Sequence, residues 1–348
     1  MNHEHKTPRI LLIYTGGTIG MVRDEVTGCL RPFDFENILN NLPEVRSVHC
    51  HLETFAFEKL LDSSNISPGN WVEIATVVRE RYEQYDGFVV LHGTDTMAYT
   101  TSALSFMLSG LSKPVIFTGS QLPIGHLRTD AKENLITSLE LASLTGDDGM
   151  PVIREVCLYF QHELYRGNRC TKINAEQFSA FASPNYPALA HSGVHLTVEK
   201  DLLLPRSYAS FSLDAHLETE ILILHVFPGI SPQMVRYLLD YPQLKGVILL
   251  TFGSGNAPDT PGFLSAVEGV IARGIPVVNI TQCIKGAVNQ GDYQVSRSLV
   301  EAGVISGRDM TREAALAKMM HLLGHHYSME EVRRYMQKDL RGEVSEGA

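Results

Sequence analysis

Short β-branched runs that alternate with longer segments of helical periodicity constrain the fold more than any other feature of this sequence. Between residue 10 and about residue 160, the predicted strands are Ile10–Tyr14, Val48–Phe57, Gly87–Leu91, Pro114–Thr118 and Val156–Gln161. Helical patterns separate these strands, and this alternation is typical of βαβ units around a parallel sheet. The first 160 residues therefore predict an α/β domain.

A second series of the same kind follows a stretch richer in proline and serine. Its predicted strands are Ile221–Val226, Gly246–Thr251 and Pro276–Thr281, with helices beginning near Ser231 and Pro261 and a helical part from Met310 to about Lys338. A chain of 348 residues exceeds the range in which one hydrophobic core keeps growing. We predict two α/β domains: a larger N-terminal one with a mostly parallel sheet, residues 1–195; a linker, residues 196–218; and a smaller C-terminal one with a parallel sheet, residues 219–348.

The clearest helix start is Ser67-Pro68, an N-cap residue followed by proline at the first helical position. Apolar residues then recur at helical spacing through Trp71 to Tyr82. This spacing predicts a helix with one face in the core.

Charge and cysteine content exclude several classes of protein. The formal net charge of -10 would repel a nucleic-acid backbone or an anionic membrane, so neither is an expected partner. The apolar run Ile10–Tyr14 is too short for a signal-peptide core, and no stretch has the length of a membrane span. The five cysteines are odd in number, widely spaced and never in a CxxC, which argues against a disulfide framework or zinc knuckle. We expect a cytoplasmic protein.

Small polar residues follow four of the predicted strands. Thr15–Gly20 follows the first, Asp62–Ser64 the second, His92–Thr96 the third and Thr118–Gln121 the fourth. Ligands of open α/β sheets bind outside the carboxyl ends of the strands. Any one of these loops fits ordinary turn and cap composition. All four together predict a polar crevice at this edge of the sheet.

These loops contain the parts that a nucleophilic hydroxyl requires. A hydroxyl attacks at neutral pH only with a nearby base or cation for its proton and donors for the oxyanion. Gly16, Gly17 and Gly20 would let backbone N–H groups approach a ligand closely. Lys172 is a candidate proton acceptor, although its spacing alone does not single it out.

The sequence gives weaker support to two other functions, dinucleotide binding and zinc binding. Gly17-x-x-Gly20 suggests a dinucleotide-binding loop, but Thr15 stands where the first glycine of that motif belongs, and a loop follows instead of a helix. His321 and His325 have the spacing of two zinc ligands, yet Leu322 replaces the glutamate of H-E-x-x-H. We expect these histidines to lie on a helix surface, and we expect neither a cofactor nor a metal.

With these residues in hand, the chain closely resembles the bacterial type I asparaginases over nearly its whole length. Tyr14–Met21 is similar to the first signature of the asparaginase and glutaminase superfamily, and Asp86–Met97 to the second. Supporting matches are Leu61–Ser64, Leu164–Arg169 and Gly255–Pro258. The resemblance implies hydrolysis of L-asparagine to L-aspartate and ammonia, with weaker action on L-glutamine.

The resemblance also implies catalytic roles. Thr18 matches the threonine that attacks the carboxamide carbon to give a β-aspartyl ester, which water then cleaves. Thr94, Asp95 and Lys172 match the hydrogen-bonded group that positions and activates a hydroxyl or the water.

Substrate-binding roles follow from the same resemblance. Asp95, beside Thr94, matches the acceptor for the α-ammonium group of the substrate. Asp62, Ser63 and Ser64 match the loop that holds the α-carboxylate and amine. Ser120 and Gln121 would complete the wall of the substrate-binding site.

Two positions depart from the family pattern. The flexible loop after the nucleophile commonly carries a tyrosine, but here Cys29–Pro32 stands near that place. Some type I enzymes also bind asparagine at a regulatory site with an arginine and a Thr-x-Cys segment. Thr281 and Cys283 are a possible remnant of that site, whereas Leu250 at the arginine position offers no partner for a carboxylate. We therefore do not expect allosteric activation.

Two alternative functions remain open. The amidase subunit of an archaeal-type transfer-RNA amidotransferase shares these signatures, but it looks to need an extra N-terminal domain, for which a first strand at Ile10 leaves no room. An asparagine-binding sensor without activity is the other, and retention of Thr18 and Lys172 argues against it. Family members form dimers or tetramers, so a homo-oligomer, a dimer or a dimer of dimers, is expected.

Overall fold

The computed structural model describes residues 7–23, 30–32, 42–289 and 294–345. The chain divides into two compact units. The first comprises Met1–Ser183 and Pro187–Asp214, and the second comprises Pro184–Tyr186 and Ala215–Ala348. The predicted linker overlaps the end of the first unit, because residues as far as Asp214 pack there. The domain boundaries drawn from the sequence stay a prediction.

The first unit is built on a mostly parallel sheet. Its strands are β1 (Arg9–Gly16), β2 (Met21–Arg23), β3 (Leu30–Pro32), β4 (His51–Leu61), β5 (Gly87–Leu91), β6 (Leu108–Ser109), β7 (Val115–Thr118), β8 (Val156–Phe160), β9 (Glu163–Arg166), β10 (Thr171–Lys172), β11 (Phe181–Ala182), β12 (Ala190–Ser192), β13 (Leu196–Val198) and β14 (Ser212–Leu213). Eight of them form one sheet in the order β13-β12-β9-β8-β7-β5-β1-β4. The five from β8 to β4 are parallel, as the βα rhythm predicts.

Helices and short 3-10 turns connect these strands. They are α1 (Pro68–Arg81), α2 (Met97–Met107) and α3 (Ala131–Ser143), with 3-10 turns at Thr18–Gly20, Pro43–Ser47, Ser63–Asn65, Tyr82–Gln84 and Lys200–Leu202. β1, β5, β7 and β8 are buried almost throughout, which matches their continuous apolar sequences. The predicted helix after Ser67 is confirmed as α1, and its core face includes Trp71, Ile74 and Val78.

Three antiparallel strands at one side of the sheet escaped the sequence analysis. The sequence predicts a single strand as far as Gln161, but β8 ends at Phe160 and turns directly into β9. Gln161 and His162 make this turn with φ of 48° and 69°. Two-residue hairpin turns with positive φ usually carry Asn-Gly, so Gln-His gives no turn signal.

The second unit is a smaller α/β layer structure, as predicted. Its elements are β15 (Ile221–His225), α4 (Pro232–Leu239), β16 (Gly246–Thr251), α5 (Pro261–Ala272), β17 (Val277–Thr281), α6 (Gln294–Glu301), β18 (Ile305–Ser306), α7 (Arg312–Gly324) and α8 (Met329–Gln337). The four strands are parallel in the order β15-β16-β17-β18. Separate apolar clusters cover the two faces of this sheet.

A fully buried ion pair joins α7 to the C-terminal segment of the second unit. Lys318 Nζ lies 2.5 Å from Glu343 Oε1, and both side chains are 0% exposed. Lys318 also donates to the carbonyl of Met336, while Glu343 accepts from the amides of Leu340 and Arg341. Each buried charge therefore has several partners, which burial of a charge requires. Among the described residues, no helix combines the length and apolar character needed to span a membrane.

Candidate active site

The carboxyl ends of four adjacent parallel strands meet at one edge of the large sheet. The strand order β7-β5-β1-β4 places side by side the four polar loops that the sequence analysis singled out. Backbone hydrogen bonds and close contacts join these loops directly. The amide of Ile124, in the loop after β7, donates to the carbonyl of Ile19, in the loop after β1 (3.4 Å). The predicted crevice edge is therefore a continuous structure.

Gly17 brings the loop after β1 against the loop after β5. Its φ is +89°, and a Cβ at this position would lie 2.5 Å from the amide nitrogen of Gly93. Thr18 and Thr94 are the residues that follow these two glycines. Since consecutive Cα atoms are only about 3.8 Å apart, the backbones of the two threonines are close. Thr18 begins a 3-10 turn and is half-buried.

The other glycines of the first loop also make room for protein atoms. A Cβ at Gly16 would overlap the Leu61 carbonyl at the end of β4, and one at Gly20 would overlap the Tyr14 phenol. The sequence analysis expected these glycines to admit a ligand to the backbone. In the structure, the space on their Cβ side is occupied by neighbouring loops and by Tyr14, so the glycines serve loop packing.

Lys172 is the centre of a polar cluster. Its Nζ donates to Thr94 Oγ1 (2.9 Å) and to Asp95 Oδ1 (2.7 Å). The Lys172 side chain is 18% exposed, whereas that of Asp95 is 63% exposed. Lys172 lies on β10, which pairs with β11 in a two-stranded hairpin outside the large sheet. A residue 77 positions away in sequence thus meets the loop after β5.

The loop after β4 supplies an anionic group beside the first and third loops. Asp62 caps the 3-10 turn Ser63–Asn65, and its Oδ1 accepts from the amide of Ser64 (3.0 Å). Hydrogen bonds from the Ser64 backbone and side chain lower the pKa of Asp62. Asp62 and Ser64 are exposed, while Ser63 is buried against Gly93. Thr96 Oγ1 donates to the carbonyl of Ser63 (2.7 Å), which ties this loop to the loop after β5.

The loop after β7 contributes Ser120 and Gln121. The Ser120 side chain is buried, and its hydroxyl donates to the carbonyl of Leu122 (2.6 Å). Gln121 Oε1 accepts from Thr94 Oγ1 at 3.3 Å. Of these two residues, Gln121 therefore reaches the cluster around Lys172 through its side chain, whereas the Ser120 hydroxyl is engaged with its own loop.

A buried histidine contacts the backbone of the loop after β5. His92 Nδ1 lies 2.7 Å from the carbonyl of Gly93, which can only accept, so Nδ1 carries the proton. Nε2 then accepts from Thr100 Oγ1 (3.0 Å), which itself accepts from the indole of Trp71 (3.1 Å). Burial lowers the pKa of His92 to about 4, so the ring stays neutral. The sequence analysis missed this chain of contacts and treated Trp71 as core alone.

The other candidate residues lie elsewhere or outside the described residues. Thr281 and Cys283 belong to the second unit, where Thr281 Oγ1 donates to the carbonyl of Gly253 (2.5 Å) and accepts from the amide of Cys283 (3.0 Å). His321 lies on α7 and His325 is the C-cap of that helix, with ring centroids 4.6 Å apart. Both side chains are half-buried, so these histidines are less exposed than the sequence analysis expected. Cys29, in the loop that lacks the family's tyrosine, lies outside the described residues.

Comparison with known proteins places this architecture in a family. The model "Asparaginase, N-terminal" matches residues 9–203, and "Glutaminase/Asparaginase C-terminal domain" matches residues 220–336. L-asparaginase 1 of Escherichia coli (strain K12) is 43% identical over 337 residues, covering 97% of this chain and 98% of that protein. The 60 kDa lysophospholipase of Mus musculus is 42% identical over 364 residues, covering 97% of this chain and 62% of that protein.

A solved structure agrees with these sequence relationships. The crystal structure of L-asparaginase I from Vibrio cholerae aligns with a TM-score of 0.88 at 42% identity. The alignment covers 98% of this chain and 100% of that one. Together, the two family models and the full-length relatives show that this chain belongs to the asparaginase family.

Proposed function

We propose that this chain is an L-asparaginase that hydrolyses L-asparagine to L-aspartate and ammonia through an ester on Thr18. The observation that carries the proposal is the pair of hydrogen bonds from Lys172 to Thr94 and Asp95, beside the contact of Gly17 with Gly93. Thr94, Lys172 and Asp95 supply a hydroxyl, an amine and a carboxylate in one cluster, and the contact of Gly17 with Gly93 supports Thr18 as the nucleophile beside it. This is the set of groups that activation of a hydroxyl requires.

In the first half of the reaction, Thr18 Oγ1 attacks the carboxamide carbon. The hydroxyl proton passes to Thr94 Oγ1, the Thr94 proton passes to Lys172 Nζ, and a proton from Nζ passes to the departing nitrogen. The C–N bond breaks and the nitrogen leaves as ammonia. The product is a β-aspartyl ester of Thr18. Thr94 is suited to the relay because its oxygen already bonds to Lys172 at 2.9 Å.

In the second half, a water molecule attacks the ester carbon. Its proton returns through the same groups to Thr18 Oγ1 as the ester C–O bond breaks, which releases aspartate and restores the enzyme. The two half-reactions are alike except for their nucleophile, so one cluster of polar groups serves both. No cofactor or metal enters this scheme.

Substrate binding is assigned to the exposed polar groups around the cluster. The Asp95 carboxylate is 63% exposed and would accept the α-ammonium group of asparagine. Asp62, Ser63 and Ser64 would hold the α-carboxylate and amine from the neighbouring loop. Ser120 would line the substrate pocket with its backbone, because its hydroxyl already donates to the carbonyl of Leu122.

Fixing both α-substituents explains a preference for asparagine over glutamine. One methylene in a pocket discriminates by only about 1–3 kcal/mol. When the α-groups are held, the longer side chain carries its carbonyl away from Thr18, and a misplacement of about 1 Å can cost about a hundredfold in rate. We propose weaker action on glutamine for this reason.

The proposal extends to the state and location of the enzyme. We infer a homo-oligomer, a dimer or a dimer of dimers, from family membership. We infer a cytoplasmic location from the cysteines: Cys50, Cys157, Cys170 and Cys283 are free thiols. The buried Leu250 leaves the possible regulatory residues Thr281 and Cys283 without a cationic neighbour at that position, so we propose simple saturation kinetics.

An ammonia-release assay tests the function directly. Purified enzyme is given asparagine or glutamine at low and high concentration. Because of the mouse relative's name, a separate assay of fatty-acid release uses lysophosphatidylcholine as substrate. We expect rapid ammonia release from asparagine, slow release from glutamine and no ester hydrolysis. Absence of ammonia release from asparagine by folded enzyme would refute the proposal.

A further inference from the structure

We infer that Gln121 is a positioning residue: its side-chain amide joins Thr94 to the hairpin that carries Lys172, and so aligns these two groups for the reaction. The inference rests on the proposed function, because it gives Gln121 a part in the chemistry of Thr94.

The orientation of this amide is determined by its partners. Gln121 Nε2 lies 3.2 Å from the carbonyl oxygen of Ala175 and 3.0 Å from that of Gln177. Carbonyl oxygens can only accept, so the NH₂ end must face them. The Oε1 end therefore faces Thr94 Oγ1 at 3.3 Å, and the Thr94 hydroxyl donates its proton to it.

The backbone of Gln121 is held firmly at the end of β7. Its amide donates to Asp130 Oδ2 (2.9 Å), and the amide of Leu122 donates to Asp130 Oδ1 (3.1 Å). Asp130 is itself only 8% exposed. A buried carboxylate with both oxygens bonded to one loop leaves that loop little freedom, so the Gln121 side chain extends from a fixed base.

The β10–β11 hairpin, which carries Lys172, has few hydrogen bonds of its own, so its position depends on contacts such as those with Gln121. β10 and β11 share only two residue pairs, Thr171 with Ala182 and Lys172 with Phe181, and they lie outside the large sheet. The turn between them is exposed over Ala175–Ser179. Asn174 Oδ1 accepts from the amides of Glu176 and Gln177 at 2.9 Å each, which shapes the turn that presents its carbonyls to Gln121.

The bond to Gln121 also decides how the Thr94 hydroxyl is directed. Its oxygen accepts one bond from Lys172 Nζ (2.9 Å), and its proton goes to Gln121 Oε1. A hydroxyl has two acceptor lone pairs, so one lone pair remains for a third partner. That partner is the attacking hydroxyl or water, which donates a hydrogen bond to it before the reaction. When its proton transfers to Thr94 Oγ1, the Thr94 proton leaves Gln121 Oε1 for Lys172 Nζ. Without the amide, the hydroxyl would rotate and the remaining lone pair would lose its direction.

The test uses two variants of Gln121 and one matched control. Gln121→Met keeps the length of the side chain but removes both the acceptor and the donor. Gln177→Met alters a glutamine in the adjacent turn whose contact with Gln121 uses only its backbone carbonyl. We expect Gln121→Met to lower kcat about 10- to 100-fold with KM changed less than about twofold, since misalignment affects the reacting groups more than binding. Gln177→Met should match the native enzyme.

Gln121→Glu distinguishes alignment from simple packing. An ionised glutamate accepts from Thr94 but repels the carbonyls of Ala175 and Gln177. A protonated glutamate restores both functions, because its O–H donates to a carbonyl and its C=O accepts from Thr94. The kcat of Gln121→Glu relative to native enzyme at the same pH should therefore rise as the pH falls from 7 to 5. The same ratio for Gln121→Met should stay flat.

The outcomes separate this inference from the proposed function. Native kcat in Gln121→Met, or a pH-independent ratio in Gln121→Glu, would overturn the positioning role. Thr18→Ala and Lys172→Met are measured in parallel. If they retain turnover, the proposed function fails; if they lose it while Gln121→Met does not, only the inference about Gln121 fails. Thermal unfolding of each variant confirms that the folded enzyme is compared.

Discussion

The carboxyl edges of the two sheets carry similar polar residues but use them differently. In the first unit, Lys172 Nζ bonds to the side chains of Thr94 and Asp95, and Asp95 remains largely exposed. In the second unit, Thr281 donates to the carbonyl of Gly253, and Gln282 Nε2 donates to the carbonyls of Val226 and Leu250. There the polar side chains satisfy the backbone at the strand ends. In the first unit, a cation and a carboxylate thus join the polar strand ends into a cluster of side chains.

The largest effect that this comparison predicts follows removal of the proposed nucleophile. Thr18→Ala should lower kcat by at least about a thousandfold while asparagine still binds, because the attacking oxygen is lost and the binding groups remain. Steady-state ammonia release and equilibrium binding of asparagine measure the two quantities. Thr197→Ala, at an exposed threonine of β13, should behave as native enzyme. Normal turnover by Thr18→Ala would remove Thr18 from the mechanism.

Removal of the cation should come next. Lys172→Met keeps the length of the side chain but cannot donate to Thr94 or Asp95, and we expect kcat to fall about 100- to 10,000-fold. The control is Lys132→Met, which removes an exposed lysine at the start of α3. Native kcat in Lys172→Met would contradict the role of Lys172 and the difference proposed between the carboxyl edges of the two sheets.

A pair of glycines tests whether loop packing distinguishes the two edges. Gly17→Ala introduces a Cβ 2.5 Å from Gly93 N at a φ of +89°, and we expect destabilisation of about 3 kcal/mol or more, with loss of activity. Gly253→Ala, at a φ of +49° in the second unit, meets no atom within 4 Å, and only the conformational cost of roughly 1–2 kcal/mol applies. Denaturant unfolding gives both values. Equal losses would show that the close contact at Gly17 is unimportant.

His92 gives the stability of the first unit a dependence on pH. Burial lowers its pKa from 6.5 to about 4, so the unfolded chain binds this proton more readily than the folded one. The neutral ring therefore contributes stability above pH 6.5 that is lost as the pH falls towards 4, on the order of 3 kcal/mol. Thermal unfolding between pH 4 and 7 should show a steeper decline for native protein than for His92→Gln. Parallel curves would contradict this role.

The smallest effect is expected at the second edge. Thr281→Val removes the hydroxyl that bonds to Gly253 and Cys283, and we expect kcat within about twofold of native. Both enzymes should show hyperbolic dependence on asparagine, because Leu250 offers no charge to a second substrate molecule. Sigmoidal kinetics in native enzyme that Thr281→Val abolishes would show that a regulatory site exists there.

The parallel strands were predictable because their signals are local. Gly87–Leu91 and Gly246–Thr251 form at the predicted residues, and β1, β4, β7 and β8 differ from their predictions by a few residues at the ends. The hairpin from β8 to β9 was not predictable, since Gln161 and His162 are unusual in a turn with positive φ. This one turn makes β9 antiparallel to β8.

The candidate site was predictable in part for a similar reason. The strand-end loops are read directly from the sequence, whereas the partners of Lys172 belong to one loop that lies 77 and 78 positions away. Family resemblance named Lys172, but sequence spacing alone could not. Gln121 contacts residues that are distant in sequence, and His92 is linked to the distant Trp71 through one hydroxyl, so these partners could not be predicted. The only local indication was a histidine directly after an apolar strand.

Trapping of the acyl-enzyme tests the central claim most directly. Enzyme turning over asparagine is quenched in acid, digested, and analysed by mass spectrometry for a peptide carrying an aspartyl ester. We predict the ester on the peptide that contains Thr18, with the oxygen of that residue as the point of attachment, and its absence from Thr18→Ala. An ester on Thr94 or on any other residue would contradict the account.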